Sequence, residues 1–252
     1  DWKLIGTPRR RLDIADKVTG KAIYGTDVRL PGMLYAAIAQ CPVFAGKLKS
    51  VDDGKAGSRD GVVQVVRLPD AVAVVAKSWW HAKQALDRLA IAWEPGEGAG
   101  LSSIGIRSAL SEALGSEDAE TAFEEGEVDA ALEQSARVIT ADYAVPYLAH
   151  ATMEPQNCTA HVTADKVEVW APTQDGESSL ATAAAAAGVS PARVIVHKTM
   201  LGGGFGRRGA VQDFVHQAVS IAKAVGRPVK LLWSREEDIQ HDFYRPAAMA
   251  RM

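Results

Sequence analysis

Leu201-Gly202-Gly203-Gly204-Phe205-Gly206-Arg207-Arg208-Gly209 separates an apolar β-like run, Arg193 to Thr199, from a helical pattern that starts near Ala210. Glycine is used where a backbone turns tightly or approaches a ligand with no Cβ in the way. Glycines on both sides of one phenylalanine, ahead of a helix, offer a row of N–H donors to an anion or an oxo group. The helical pattern puts Val211, Phe214, Val215, Ala218, Val219 and Ala222 on one face and stops at Gly226. Pro228 to Trp233 reads as the following strand. The stretch is therefore a strand–loop–helix–strand unit.

Gly204 to Gly209 satisfies G-x-G-x-x-G with a strand before it and a helix after it, the context of a dinucleotide site. Three features oppose that reading. The unit sits at the far end of the chain with no second βαβ half after it. The acidic residues Glu236 and Glu237 come roughly thirty positions after the loop, against the usual spacing of roughly twenty. Phe205 and the paired arginines are unusual in a turn that must lie against a pyrophosphate. No Gly-Lys-Ser/Thr follows, which excludes a Walker A loop.

Upstream, Cys158 to Thr163 and Val167 to Ala171 flank Ala164-Asp165-Lys166 as a hairpin. Trp170-Ala171-Pro172-Thr173-Gln174 ends a strand, and Ser178 to Ala187 is a helix stopped by Gly188. Gln174 thus sits at a strand end, where α/β sheets bind ligands. Ala136 to Val145 is a long strand candidate, and Val128 to Ser135 a helix. Glu117 to Glu127 is an acidic surface link that follows a glycine-rich stretch and a short helix capped by Ser102 or Ser103; a domain boundary is expected between about 95 and 125. Before it, Met33 to Ala39, Val62 to Val66, Ala71 to Ala76 and Leu89 to Trp93 read as short strands. Ser78 caps a helix to about Leu86, on which Trp79 and Trp80 cannot share a face. Residues 1 to 16 form a polar leader strand or arm.

Of 252 residues, 47% are hydrophobic and 23% charged, as in globular domains, and the net charge of -3 gives no reason to expect nucleic acid as a partner. No signal peptide is expected to open the chain at Asp1. Cys41 and Cys158 are far apart and in no CxxC context, so this chain alone builds no cysteine-ligated iron–sulfur cluster or zinc ribbon. His150 and Glu154 are spaced i, i+4, but Pro155 opposes a helix there, and both are read as structural. Arg207 and Arg208 face either a phosphate or an acid such as Asp213. Arg235 to Asp238 tie a strand end to its neighbours.

Several segments agree in order and spacing with one known family. Met153-Glu154-Pro155 ahead of Cys158-Thr159-Ala160, then Trp170 to Gln174, then Leu201 to Arg208, resemble the molybdenum-binding subunit of the xanthine dehydrogenase/aldehyde oxidase family. They are most similar to its branch of isoquinoline 1-oxidoreductase β subunits and related aldehyde dehydrogenases. Asp16-Lys17-Val18-Thr19-Gly20, Pro31-Gly32-Met33-Leu34 and Val72 to Ala76 before Trp80 resemble that family's α/β hammerhead domain. The implied fold class is α+β: a hammerhead domain over residues 1–115, then a first, incomplete molybdopterin-binding domain over 116–252.

The resemblance implies a cofactor cradle made of Gln174, Gly203, Gly204, Phe205, Gly206 and Arg207. Gln174 would hydrogen-bond an oxo ligand of the molybdenum, and the backbone at Phe205, Gly206 and Arg207 would pack beside the metal, with no direct protein ligand to it. The implied cofactor is molybdopterin, as its cytosine dinucleotide. The implied reaction hydroxylates an N-heteroaromatic ring or oxidises an aldehyde, with water as oxygen source. Electrons would leave through iron–sulfur clusters on a small partner subunit, with a cytochrome as a further candidate acceptor. A periplasmic location is expected, with the cytoplasm as the alternative.

Two departures from the family pattern bear on this. Arg207-Arg208-Gly209 stand where purine-oxidising relatives carry Gly-Lys-Glu, which disfavours a purine substrate. The catalytic glutamate of a Gly-x-Gly-Glu segment is absent, so the chain is expected to be an N-terminal fragment that is inactive alone, its partner being the remainder of the molybdenum subunit. The alternatives are a nicotinamide-dependent oxidoreductase using the G-x-G-x-x-G loop, and a catalytically silent scaffold.

Overall fold

A computed structural model describes residues 2–54, 57–116 and 118–252. Asp1, and Glu117 at the start of the acidic link, lie outside them. Helix α1 (Ile14–Val18) follows an exposed arm that forms no strand. Then come β1 (Leu34–Gln40), β2 (Lys47–Asp52), β3 (Val62–Arg67), β4 (Ala71–Ala76), α2 (Trp79–Leu86) and β5 (Ala90–Glu94). The middle holds α3 (Ser103–Ala113), α4 (Val128–Glu133) and β6 (Asp142–Val145). The remainder is β7 (Asn157–Val162), β8 (Val167–Ala171), α5 (Gly176–Ala187), β9 (Val194–Lys198), α6 (Asp213–Val225), β10 (Val229–Leu232), α7 (Arg235–Gln240) and β11 (Ala248–Arg251). Among the described residues no helix is long and apolar enough to cross a membrane.

One seven-stranded mixed sheet organises the chain, in the order β3-β4-β1-β10-β7-β8-β9. β1 and β10 run parallel, with Leu34 opposite Val229 and Ala36 opposite Leu231. The sheet therefore crosses the boundary expected between 95 and 125: strands from both sides of it share one hydrogen-bonded ladder. Its alternation assigns the faces. Ala36, Ile38, Ala71, Ala73 and Val75 point to the side covered by α5 and α6, while Ala37, Val74 and Ala76 point to α2. Under β7 and β10 that second face is polar. Asn157, Thr159 and Lys230 lie there, covered by the turn Gly25–Asp27.

Helix caps follow the sequence. Ser78 and Ser102 accept from the third following backbone N–H, and Gly188 and Gly226 close α5 and α6 in the left-handed region. Asp175 caps α5: its carboxylate accepts the Ser178 N–H, and the helix starts two residues earlier than expected. Trp79 donates its indole N–H to Leu232 O (3.0 Å), whereas Trp80 stays 64% exposed. One strand is added and two expectations change. β2 is a polar strand that only its pairing with β5 creates. The run from Ala136 yields a strand over Asp142–Val145 alone, paired with β11, and Ala141 exchanges backbone hydrogen bonds with Met252 just before it (2.9 and 3.0 Å). Val211 precedes α6 and is exposed.

Candidate functional site

The glycine loop and Gln174 meet at one end of the sheet. β8 and β9 are parallel neighbours, so the segments leaving their C-terminal ends emerge side by side. Gln174 follows β8. Its side-chain Oε1 accepts from Gly206 N (3.0 Å) and Arg208 N (3.3 Å), and its backbone N–H donates to Arg208 O (2.9 Å). The contact is close enough to demand glycine: a Cβ at Gly204 would lie 2.5 Å from Gln174 Oε1. Behind it, buried Thr173, Ser179 and Gln212 form a closed hydrogen-bonded set, with Gln212 Nε2 donating to Arg208 O (3.0 Å). The backbone at Gln174 is thereby pinned.

Glu154 fastens the other side of the loop. Its Oε2 accepts from Gly202 N (2.9 Å), while Oε1 accepts from Thr26 N (3.1 Å) and Asn157 Nδ2 (3.0 Å). Glu154 is buried, and its part is structural, as the sequence suggests. Arg208 is fully buried beneath the loop. Its guanidinium donates to the carbonyls of Gly203 (3.0 Å), Pro172 (3.2 Å), Pro155 (3.3 Å) and Glu154. Burial pulls its pKa down, and the charges of Glu154 and Asp238 oppose that pull. Four carbonyls on one buried cation hold the loop in a single shape.

Arg207 decides between the two roles open to the arginines. Its side chain turns inward, where it pairs with Asp213 (2.7 and 3.1 Å) and lies against the faces of Trp233 and Phe243. Its Nε also lies 3.0 Å from Asp242 Oδ1, an ion contact whose N–H points off the carboxylate. Neither arginine side chain is free to meet a phosphate. Only the backbone of Arg207 belongs to the loop surface, and its N–H is used within the turn, on Gly204 O (2.9 Å).

Phe205 is not core. It is 77% exposed with φ +55, a conformation a non-glycine residue adopts only when its surroundings impose it. Gly203 and Gly206, both at φ +107, supply the remaining unusual backbone. Among the described residues, the N–H groups of Gly203, Gly204 and Phe205 and the Nε2 of Gln174 have no hydrogen-bond partner. These neutral donors all lie on the loop or on the glutamine that braces it. Beside Gln174, a hollow of about 410 Å³ is lined by Asp175, Glu177, Leu180 and Lys198.

A dinucleotide site does not form here. β9 and β10, joined by α6, are separated in the sheet by β8 and β7, so they are not the adjacent strands of a βαβ unit. The start of α6 is occupied by its own Asp213, whose carboxylate takes Arg207 where a pyrophosphate would be needed.

Residues 112–252 match the family described as molybdopterin cofactor-binding domain. The chain belongs to that family. It is 34% identical to isoquinoline 1-oxidoreductase subunit beta of Brevundimonas diminuta, over 100% of this chain and 33% of that protein. It is 33% identical to a membrane-bound aldehyde dehydrogenase [pyrroloquinoline-quinone] of Gluconacetobacter polyoxogenes, over 99% of this chain and 34% of that protein. The chain thus spans about a third of these relatives' length. Among solved structures, quinoline 2-oxidoreductase from Pseudomonas putida 86 shares the fold, with a TM-score of 0.70 at 20% identity over 94% of this chain and 36% of that one.

The molybdopterin group fits the residues present: the unpartnered donors of the loop and of Gln174 are neutral, and the Gly204 position leaves no room for a side chain. Among the described residues no group of histidine, cysteine and acidic side chains could hold a metal ion directly, and both cysteines are buried. Burial pushes the Cys158 thiol far above its usual range, away from the thiolate a cluster needs. Sequence reasoning missed one part of the site. His150 and Asp242 are joined here, 92 positions apart, and no local motif marks the pair.

Proposed function

We propose that this chain is part of the catalytic subunit of a molybdenum hydroxylase that oxidises aldehydes or hydroxylates N-heteroaromatic rings. The observation that carries the reading is the contact of Gln174 with Gly206 (3.0 Å) inside a matched molybdopterin-binding segment. Gln174, Gly203, Gly204, Phe205, Gly206 and the backbone of Arg207 would hold the cofactor. When bound, molybdopterin with its molybdenum supplies the two-electron redox chemistry, with water as oxygen source. This chain's residues bind and orient. Gln174 Nε2 and the loop N–H groups donate hydrogen bonds without adding formal charge near the metal. Arg208 and Glu154 keep those donors fixed before the ligand arrives, so no reorganisation is required at binding. Phe205 shields the patch from water.

The general base lies outside these 252 residues in this proposal, and iron–sulfur clusters lie on a partner subunit. The relatives named above support the first, since the chain covers a third of their length. We also keep the family division near residue 115, hammerhead before and cofactor-binding after, as a division of ancestry laid over one continuous sheet.

The test is metal and pterin analysis of the full-length subunit, coupled to dye reduction with an aldehyde and with an N-heterocycle. Stoichiometric molybdenum and turnover of one substrate class are expected. Gly204→Ala should lower the molybdenum content, because its Cβ displaces Gln174; the overpacking costs about 1–3 kcal/mol. Molybdenum-free protein that binds NAD tightly would refute the reading.

A further inference from the structure

His150 presents a ring nitrogen to the glycine loop, and nothing in the loop's own architecture uses it. Asp242 holds the histidine from one side: it accepts the His150 backbone N–H and lies 2.9 and 3.0 Å from Nδ1. A carboxylate on Nδ1 fixes the proton there and leaves Nε2 as an acceptor. Nε2 lies 3.9 Å from the point where a Cβ on Gly206 would sit, and it has no hydrogen-bond partner among the described residues. The ring is only 12% exposed, so its direction is set by packing as well as by the carboxylate.

The supports of this histidine exceed what a structural tie requires. Asp242 is buried and also touches the buried Arg207, whose backbone continues Gly206 and whose guanidinium pairs with Asp213. One carboxylate thus positions both the loop, through Arg207, and the imidazole opposite it. The backbone is strained on both sides of the gap. Among the described residues, positive φ at a non-glycine occurs at Ala45, Ala151 and Phe205. Two of these three are the direct neighbours of His150 and Gly206. Strain of this kind persists where the surroundings enforce it and collects at ligand-holding sites.

We propose that His150 contacts the ligand of the glycine-loop site, its Nε2 accepting a hydrogen bond from an N–H or O–H donor. The inference rests on the functional reading above. Either the organic part of the cofactor or the substrate can supply such a donor, and the two sources predict different losses.

Three variants of the full-length subunit, produced with its partner subunits in a host that makes the cofactor, separate the cases. His150→Gln places an amide near the Nε2 position. His150→Asn keeps a polar group near Nδ1 and so keeps the tie to Asp242. His150→Ala removes both. If the donor belongs to the cofactor, molybdenum and pterin content fall on the order of tenfold in H150N and H150A, and H150Q retains most of it. If it belongs to the substrate, content holds in every variant, and KM rises on the order of tenfold in H150N and H150A but less in H150Q. Content and KM in H150N equal to wild type would overturn the proposal. So would a loss in H150Q as large as that in H150N, since a polar group returned to the Nε2 position would then rescue nothing. Wild-type subunit without molybdenum overturns the reading of the site itself, before any variant is compared.

Discussion

Lys230 sits in the middle of β10 with no exposure to solvent. Its ammonium donates to the carbonyl of Thr26, on the turn that covers this face of the sheet. Burial pulls its pKa down to about 8, and nearby Arg29 pulls the same way against Asp27 and Glu154. The consequence for stability has a definite sign. Between about 8 and the ordinary lysine value of 10.5, the unfolded chain binds the proton and the folded chain does not. Unfolding then takes up protons, so stability rises with pH through that window. The gain is on the order of 3 kcal/mol when the window has been crossed. Lys230→Met has no ammonium to bury and should lack this rise. Denaturant melts of both proteins at pH 7.5 and pH 10 check it: the stability difference between variant and wild type should shift by about 2 kcal/mol, most of the full gain. A difference that stays constant with pH would show that the lysine is adequately solvated in the fold.

The same economy of local cause holds for whole elements. In α6, Phe214, Val215, Ala218, Val219, Ile221 and Ala222 are all fully buried against β7, β10 and α5. Phe214 also packs beneath Arg208, with the guanidinium carbon 5.9 Å from its ring centre. Phe214→Ala removes a large core side chain and the floor under the arginine that grips the loop. It should destabilise the protein by about 3–5 kcal/mol, measured by chemical denaturation. A loss below about 1 kcal/mol would mean that the site collapses around the cavity. This helix was legible from its 3.6-residue pattern, and Gly226 marked its end. β2 was not legible. Lys47–Asp52 is mostly exposed and polar, and its extended form comes from the ladder with β5, which no local pattern encodes. The candidate site divides along the same line. Gln174 and the glycine loop each carry a sequence signal, because a strand end and a glycine cluster are local features. The inward turn of Arg207 carries none: it depends on Asp213, Trp233 and the adjacent pair Asp242 and Phe243 arriving from three segments.

At the scale of the whole molecule, the sequence suggested two bodies and the sheet joins them. A shift in composition between 95 and 125 reports an exposed connection, and α3, which lies within it, and α4, which follows it, bury no residue. The chain leaves the sheet there and returns to the same sheet. β10 lies between β1 and β7, so the strand of this sheet that comes last in the chain is paired on both sides by earlier ones. The turn Gly25–Asp27 meanwhile supplies the cover for Asn157 and the Thr26 N–H for Glu154. A piece comprising 116–252 alone would lose β1, β3, β4 and this cover. One edge of β10 would then be open and Lys230 unsatisfied, a combination that favours edge-to-edge association. That piece, expressed by itself, is expected to aggregate or to lack a cooperative transition, whereas the 252-residue chain should unfold in one step with matching far-ultraviolet and tryptophan signals. A monomeric 116–252 piece with a sharp melt would show instead that the second part carries a self-sufficient core. The glycine loop and the cover of the sheet also share one carboxylate: Glu154 accepts the Gly202 N–H with one oxygen and the Thr26 N–H with the other, so loss of the cover would remove a brace from the site as well.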